Sequence, residues 1–115
     1  DGIIISSPMG SSAYNFSAGG SLVNPSLKTL QITPLSPIIS NAYRCLNCSV
    51  IVPPVFEVKI FPEKYNDYCI AFLADGVSYD ICHTKLAKFH TSKKSIRRLI
   101  TDNYNYWNVI KEKFL

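Results

Sequence analysis

IIISSPMGSSAYNFSAGG, residues 3–20, joins an apolar run to a loop of small and hydroxyl-bearing side chains. From residue 6 onward this stretch holds five serines and three glycines, and it has no charged side chain. The apolar run is typical of a buried strand, and glycines in the following loop let backbone N–H groups approach a ligand. Without a cation, the hydroxyls, the amide and the aromatic ring suit a ribose, an amide or a base edge better than a triphosphate.

The same loop also has a purely structural interpretation. Ser11, Ser12 and Ser17 are residues that cap helices, and Gly19-Gly20 is typical of a helix end. Neither of the common phosphate-binding glycine motifs is present, and the nearest downstream cation is Lys28. Both interpretations stay open on the spacing of these residues.

The composition is that of a globular domain. The chain has 115 residues, 47% of them hydrophobic and 17% charged, with a net charge of +4, which predicts one domain over residues 1–115. No apolar run is long enough to span a bilayer, so we expect no membrane partner and a cytoplasmic protein, with an organelle as the alternative. Without a secretory signal, the four cysteines are interpreted as reduced thiols.

Alternating apolar residues predict a mainly β, sandwich-like domain. Residues 55–61 read as a half-buried strand and residues 68–74 as a strand covered on both sides; with turn residues at 63–67 they predict a hairpin. Asp75-Gly76 predicts a second, tight hairpin turn, and further strands are expected at 85–90 and 95–101.

Helix is expected in two places. A short helix near Ser12 follows the Ser/Gly loop, and a longer one runs from about Asn103 to the end, capped by Asp102 or Asn103. In the longer helix Tyr106, Ile110 and Phe114 share a face, which needs a packing partner within or outside this chain.

Residues 1–37, DGIIISSPMGSSAYNFSAGGSLVNPSLKTLQITPLSP, resemble the signature of the NAD kinase family. Members of that family typically read Asp-Gly-Leu-Ile, Thr-Pro-Thr-Gly-Ser-Thr-Ala-Tyr, Ser-Ala-Gly-Gly and Leu-Thr-Pro in this order. The resemblance is looser to about residue 80 and returns in the last ten residues, YWNVIKEKFL.

The resemblance implies an enzyme that uses ATP to phosphorylate the adenosine ribose 2′-hydroxyl of NAD, giving NADP. It also implies a divalent metal, Mg, and a homo-oligomer. In the family an N-terminal α/β domain carries a Gly-Gly-Asp-Gly motif that holds the phosphoryl donor, and this motif does not occur among the 115 residues. The chain is therefore interpreted as the NAD-binding C-terminal part, inactive on its own, with the N-terminal domain as its partner.

The positions that match the family's pocket give the predicted ligand-binding residues, none of them catalytic and none a metal ligand. They are Asp1, Ser12, Ala13, Tyr14, Asn15, Phe16, Ser17, Ser36, Ile38, Asp75, Gly76 and Val77. We expect Ser12, Tyr14 and Ser36 to line one shared cavity. The Tyr14 ring would stack on the ligand, and the serine hydroxyls would bond to sugar or amide oxygens.

Other interpretations remain open beside this one. Cys45 and Cys48 together with Cys82 and His83 have the right donors for zinc, although neighbouring side chains on a strand point to opposite faces. Six basic residues between Lys85 and Arg98 favour a non-catalytic domain that binds a protein or polyanion, but no nucleic-acid motif accompanies them. A distant lipid-kinase relative, with a long apolar tunnel, is a third candidate.

Overall fold

A computed structural model describes residues 1–42, 44–63 and 69–115. The predicted mainly β class is confirmed: the strands are antiparallel and the helices are short or terminal. In chain order the strands are β1 Gly2–Ser6, β2 Leu30–Leu35, β3 Val50–Val52, β4 Val58–Ile60, β5 Cys69–Ala74, β6 Val77–Cys82 and β7 Ala87–Phe89. A 3-10 turn spans Met9–Ser12, helix α1 spans Tyr14–Ser17 and helix α2 spans Tyr106–Phe114.

The contacts divide the chain into two compact units. Unit 1 comprises Asp1–Phe56 and Thr91–Leu115, and unit 2 comprises Glu57–His90. In unit 1, β2 lies between β1 and β3, and the register runs from Gly2 opposite Leu35 to Ser6 opposite Gln31. The C-terminal half of β2 therefore lies beside the start of β1, and the N-terminal half lies beside its end.

Unit 2 contains two separate ribbons, β4 with β7 and β5 with β6. The rings of Phe72 and Phe89 stack between the ribbons at a centroid distance of 6.3 Å. Lys59 lies opposite Lys88, and this pairing of like charges is offset by Glu57, whose Oε1 is 3.5 Å and 3.8 Å from their Nζ atoms.

The pairing of β4 differs from the sequence prediction. Only Val58–Ile60 of residues 55–61 is a strand, and it pairs with β7, so the predicted hairpin between residues 55–61 and 68–74 is wrong. Local turn chemistry does not specify a partner when a strand further along the chain competes for the same edge. Most of the predicted turn, residues 64–67, lies outside the described residues.

The other strand and turn predictions have different outcomes. The Asp75-Gly76 turn is confirmed, since both residues have positive φ, 46° and 87°, and they connect Ala74 to Val77. Strand β5 is mostly exposed within this chain rather than covered on both sides, because it belongs to a two-stranded ribbon. The strand expected at 85–90 is shortened to Ala87–Phe89, and residues 95–101 form no strand.

Helix α2 begins later than predicted. Its N-cap is Asn105, whose Oδ1 accepts a hydrogen bond from the Trp107 N–H at 2.9 Å, in place of Asp102 or Asn103. Part of its aromatic face packs inside unit 1, where the Phe114 ring lies 4.4 Å from that of Phe16. Within the described ranges, the helices are too short or too polar to cross a bilayer.

The cysteine prediction is wrong for two of the four residues. Cys69 and Cys82 are joined as a disulfide across β5 and β6, whereas Cys45 and Cys48 are free. The register of β5 and β6 places Cys69 directly opposite Cys82, which brings the two side chains together.

Candidate functional site

Helix α1 is a single turn that ends in a Schellman arrangement. Gly19 adopts φ 85°, its N–H donates to the carbonyl oxygen of Phe16, and the Gly20 N–H donates to that of Asn15. The predicted helix end at Gly19-Gly20 is therefore confirmed. Serine capping is wrong, because the N-cap is Ala13 and neither this helix nor the preceding turn has a side-chain cap.

Ser11 acts inside the fold instead. Its side chain is fully buried, and its Oγ accepts a hydrogen bond from the Val23 N–H at 3.0 Å and donates to the carbonyl oxygen of Pro8 at 2.7 Å. These bonds connect the two ends of the loop segment around α1. The Ser11 hydroxyl therefore has a structural role.

A buried polar network fastens α1 to β2. Asn15 is 2% exposed; its Nδ2 donates to Gln31 Oε1 at 2.8 Å, and its Oδ1 accepts from Thr33 Oγ1 at 2.7 Å. Gln31 in turn bonds the backbone of Ser21 through both of its side-chain polar atoms. Because buried polar groups that find partners fix a single geometry, this network holds α1 rigidly on the sheet.

Gly20 has no side chain, and the side chain of Asn15 occupies the space where a Cβ of residue 20 would lie. A Cβ added at Gly20 would lie 2.3 Å from Asn15 Nδ2, closer than any real contact between these atoms. The glycine therefore allows the network to form. The sequence prediction assigned Asn15 to the ligand, whereas its amide is already bonded on both sides.

The other residues of 12–17 are more exposed than Asn15. Ala13, Tyr14, Phe16 and Ser17 are exposed and Ser12 is half-buried, with the Tyr14 side chain 67% exposed. The Ser12 carbonyl oxygen accepts a hydrogen bond from Lys113 Nζ on α2. The loop thus exposes the Tyr14 ring, and serines precede and follow it in the sequence.

A second group of predicted residues lies at the other end of β1. Asp1, Ser36 and Ile38 line an open cavity of about 420 Å³, together with aliphatic side chains of β1 and β2 and with Arg44. Ser36 has φ 46°, a left-handed conformation that is uncommon for a residue with a side chain. Mostly aliphatic walls with a few polar groups are typical of sites for small organic ligands.

The predicted residues therefore fall into three places. Ser12 and Tyr14 lie outside the lining of the cavity, so this cavity is not the shared one expected for Ser12, Tyr14 and Ser36. The α1 loop adjoins Ser6 and the cavity adjoins Gly2, and a strand of this length separates such ends by about 14 Å. Asp75, Gly76 and Val77 form the exposed turn of a hairpin in unit 2.

The implied magnesium has no ligand set here. Among residues 1–42, 44–63 and 69–115, no three His, Cys, Asp or Glu side chains come together where they could hold a metal ion. The zinc interpretation loses one donor as well, since the Cys82 sulfur is bonded to Cys69.

The sequence of this chain matches a known protein family. A sequence profile of the ATP-NAD kinase C-terminal domain matches residues 1–100. This chain belongs to that family. The resemblance of residues 1–37 to the NAD kinase signature is thereby confirmed.

Individual NAD kinases are similar over the whole chain. The identity is 42% to the NAD kinase of Finegoldia magna, 32% to that of Streptococcus gordonii and 30% to that of Lactobacillus gasseri. Each alignment covers 100% of this chain and 43%, 42% and 42% of those proteins, respectively. The chain thus spans less than half the length of the NAD kinases it matches.

Sequence reasoning missed the two residues that support the loop. Gln31 and Thr33 are alternate residues of β2, a spacing that ordinarily indicates a solvent-facing side of a strand. Here both are 1% exposed because α1 covers that side and supplies Asn15 as their partner. The sequence did offer one signal for this network. Gln31 and Thr33 are polar residues two positions apart in an otherwise apolar strand, and Asn15 in the preceding loop is a possible partner for both.

Proposed function

We propose that the polypeptide carrying this chain is an NAD kinase, and that this chain supplies most of the pocket for NAD. In the reaction ATP donates its γ-phosphoryl group to the adenosine ribose 2′-hydroxyl of NAD, giving NADP and ADP. The observation that supports it is the match of residues 1–100 to the family, with an exposed tyrosine on a rigid loop at the family's signature. The relatives that cover the whole chain are named NAD kinase.

The loop chemistry fits one end of a dinucleotide. The exposed Tyr14 ring offers a stacking face for a base, and such aromatic contacts contribute about 1 kcal/mol beyond simple burial. Ser12 and Ser17 precede and follow it in the sequence, and serine hydroxyls donate to and accept from sugar or amide groups. Because the buried Asn15 network fixes the loop, the ligand would not have to order it on binding.

The cavity fits the other end. NAD has two ring systems joined by a pyrophosphate, so its binding groups are far apart and suit two patches at opposite ends of one strand pair. The aliphatic walls of the cavity accept a flat ring, and Asp1 and Ser36 provide polar contacts at its edge. Arg44 adds a positive charge beside the cavity, as a phosphate-bearing ligand requires.

Phosphoryl transfer needs groups that this chain does not assemble among its described residues. An in-line transfer requires a cradle for the donor and a group oriented on the acceptor hydroxyl. We propose that an N-terminal α/β domain supplies both, with the Gly-Gly-Asp-Gly motif and with magnesium bound there. A homo-oligomer and a cytoplasmic location remain predictions, and light scattering of the purified enzyme tests the former.

The test is steady-state kinetics of the full-length polypeptide with NAD and ATP. We expect NADP formation, and we expect Tyr14→Ala to raise the KM for NAD about tenfold while the KM for ATP stays unchanged. Tyr14→Phe, which keeps the ring, should retain most of the affinity. Phe61→Ala is the matched control, because Phe61 is 69% exposed and is not among the predicted ligand residues.

Two results would contradict the proposal. One is the absence of NADP formation by the wild-type polypeptide with ATP and magnesium present. The other is salt-sensitive polyanion binding without any dinucleotide binding, which would favour a function of the basic residues between Lys85 and Arg98 instead.

A further inference from the structure

The β5–β6 hairpin carries a covalent link at its open end. Cys69 and Cys82 are directly opposite in the register, their Cα atoms are 4.0 Å apart and their sulfurs are bonded. The Asp75-Gly76 turn closes the other end of the same ladder. The hairpin is thus held at both ends, by backbone geometry at one and by a disulfide at the other.

The disulfide is expected to contribute much of the stability of the β5–β6 ribbon. It contains two strands, and an isolated two-stranded ribbon is marginally stable in water. Within this chain every residue of β6 is exposed, and in β5 only Ile70 is half-buried. Among the described residues of unit 2, the Phe72 ring contacts the rings of Tyr79 and Phe89 at centroid distances of 6.4 Å and 6.3 Å.

Both cysteines are also within reach of reagents in solution. Cys69 and Cys82 are both exposed residues in this chain, which favours attack of a thiol on their sulfurs. Exposed disulfides of this kind are the labile ones in proteins, whereas buried structural ones resist reduction.

We propose that the Cys69–Cys82 pair is a redox-sensitive clasp, which orders the β5–β6 hairpin when oxidised and releases its open end when reduced. The clasp thereby regulates the presentation of Asp75, Gly76 and Val77 to the dinucleotide. This last effect rests on the proposed function. The ordering of the hairpin does not.

The chemistry is thiol–disulfide exchange with a glutathione-type thiol. The thiolate attacks one sulfur of the pair, the S–S bond breaks and a mixed disulfide forms while the other cysteine leaves as a thiolate and takes up a proton. A second thiol molecule attacks the mixed disulfide, which frees the second cysteine and yields the oxidised small disulfide. Two electrons and two protons thus pass to the protein, and glutathione disulfide reverses the reaction.

The experiment compares the full-length polypeptide after equilibration with reduced glutathione or with glutathione disulfide. Alkylation and peptide mass spectrometry count the free thiols, hydrogen exchange measures the order of residues 69–82, and calorimetry measures NAD affinity. The double variant Cys69→Ser/Cys82→Ser removes the clasp. Cys48→Ser is its matched control, since Cys48 is exposed and free and does not line the cavity.

We expect residues 69 and 82 to be protected from alkylation only in the oxidised protein. Reduction should speed amide exchange in the hairpin by at least about tenfold, in the wild type and in the control alike. The Cys69→Ser/Cys82→Ser variant should exchange fast under both conditions. The Kd for NAD should rise by about threefold or more on reduction in the wild type and control only.

Each contrary result has a separate meaning. Alkylation of Cys69 and Cys82 in the oxidised protein, or equal hairpin exchange in both states, overturns the clasp. Faster exchange with an unchanged Kd for NAD overturns its regulatory role. If NAD binds in neither state, the proposed function fails, and the exchange data still decide whether the clasp exists.

Discussion

The loop around α1 and the β5–β6 hairpin both carry predicted ligand residues, and the fold supports them by different means. In unit 1, Tyr14 stands on a helix turn that buried side chains fasten to β2. In unit 2, Asp75 and Gly76 depend on local backbone conformation and on a disulfide six pairs away along the ladder. The first support is lost through side-chain changes in the interior, and the second through backbone or redox changes at the surface.

The largest expected effect tests the interior of unit 1. Gly20→Ala would place a Cβ 2.3 Å from Asn15 Nδ2, so the network must break or the loop must shift. We expect a loss of about 3 kcal/mol in the stability of the loop, from overpacking and the unpaired amide. Hydrogen exchange of residues 9–33 in the full-length polypeptide measures it.

Gly19→Ala is the control for that substitution. No atom lies within 4 Å of the added Cβ, so only the positive φ of 85° is strained, and a cost of about 1–2 kcal/mol follows. Equal effects at the two glycines would mean that the Asn15 contact contributes nothing to the rigidity of the loop.

An intermediate effect is expected for the hydroxyl that bonds Asn15. Thr33→Val keeps the shape of the side chain but removes the donor to Asn15 Oδ1, which leaves a buried acceptor unpaired at a cost of about 2 kcal/mol. Thr29→Val is the matched control, because the Thr29 Oγ1 is buried and has no hydrogen-bond partner. Urea denaturation of both variants should show destabilisation at residue 33 and no loss, or a gain, at residue 29.

The smallest effect is expected in unit 2. Gly76→Ala strains a turn residue with φ 87° but meets no atom within 4 Å, so we expect about 1 kcal/mol, confined to the hairpin. Amide exchange should rise in β5 and β6 and stay unchanged in residues 9–33. A change that spread into the α1 loop would remove the distinction between the two supports.

The features that could be predicted from the sequence are those set by neighbouring residues. The Asp75-Gly76 turn and the glycine end of α1 each follow from chemistry within a few positions. The pairing of β4 with β7 and of Cys69 with Cys82 depends on register between distant segments, which no local pattern specifies.

The candidate site divides in the same way. The exposed loop with Tyr14 was indicated by its hydroxyl-rich, charge-free composition, and its family resemblance placed it at the signature. The burial of Asn15 was not indicated by the sequence. Its partners Gln31 and Thr33 follow sixteen and eighteen residues later, and their spacing is typical of a solvent-facing side of a strand. An asparagine in a loop has the same local signature whether it binds a ligand or supports the backbone.

The contacts of helix α2 determine when the loop around α1 can reach its final structure during synthesis. Lys113 bonds the carbonyl oxygen of Ser12 across 101 positions, and Phe114 packs on Phe16. A ribosome therefore exposes the Tyr14 segment long before it releases the residues that brace it from behind. Nascent chains halted ahead of residue 106 would carry the loop without this brace.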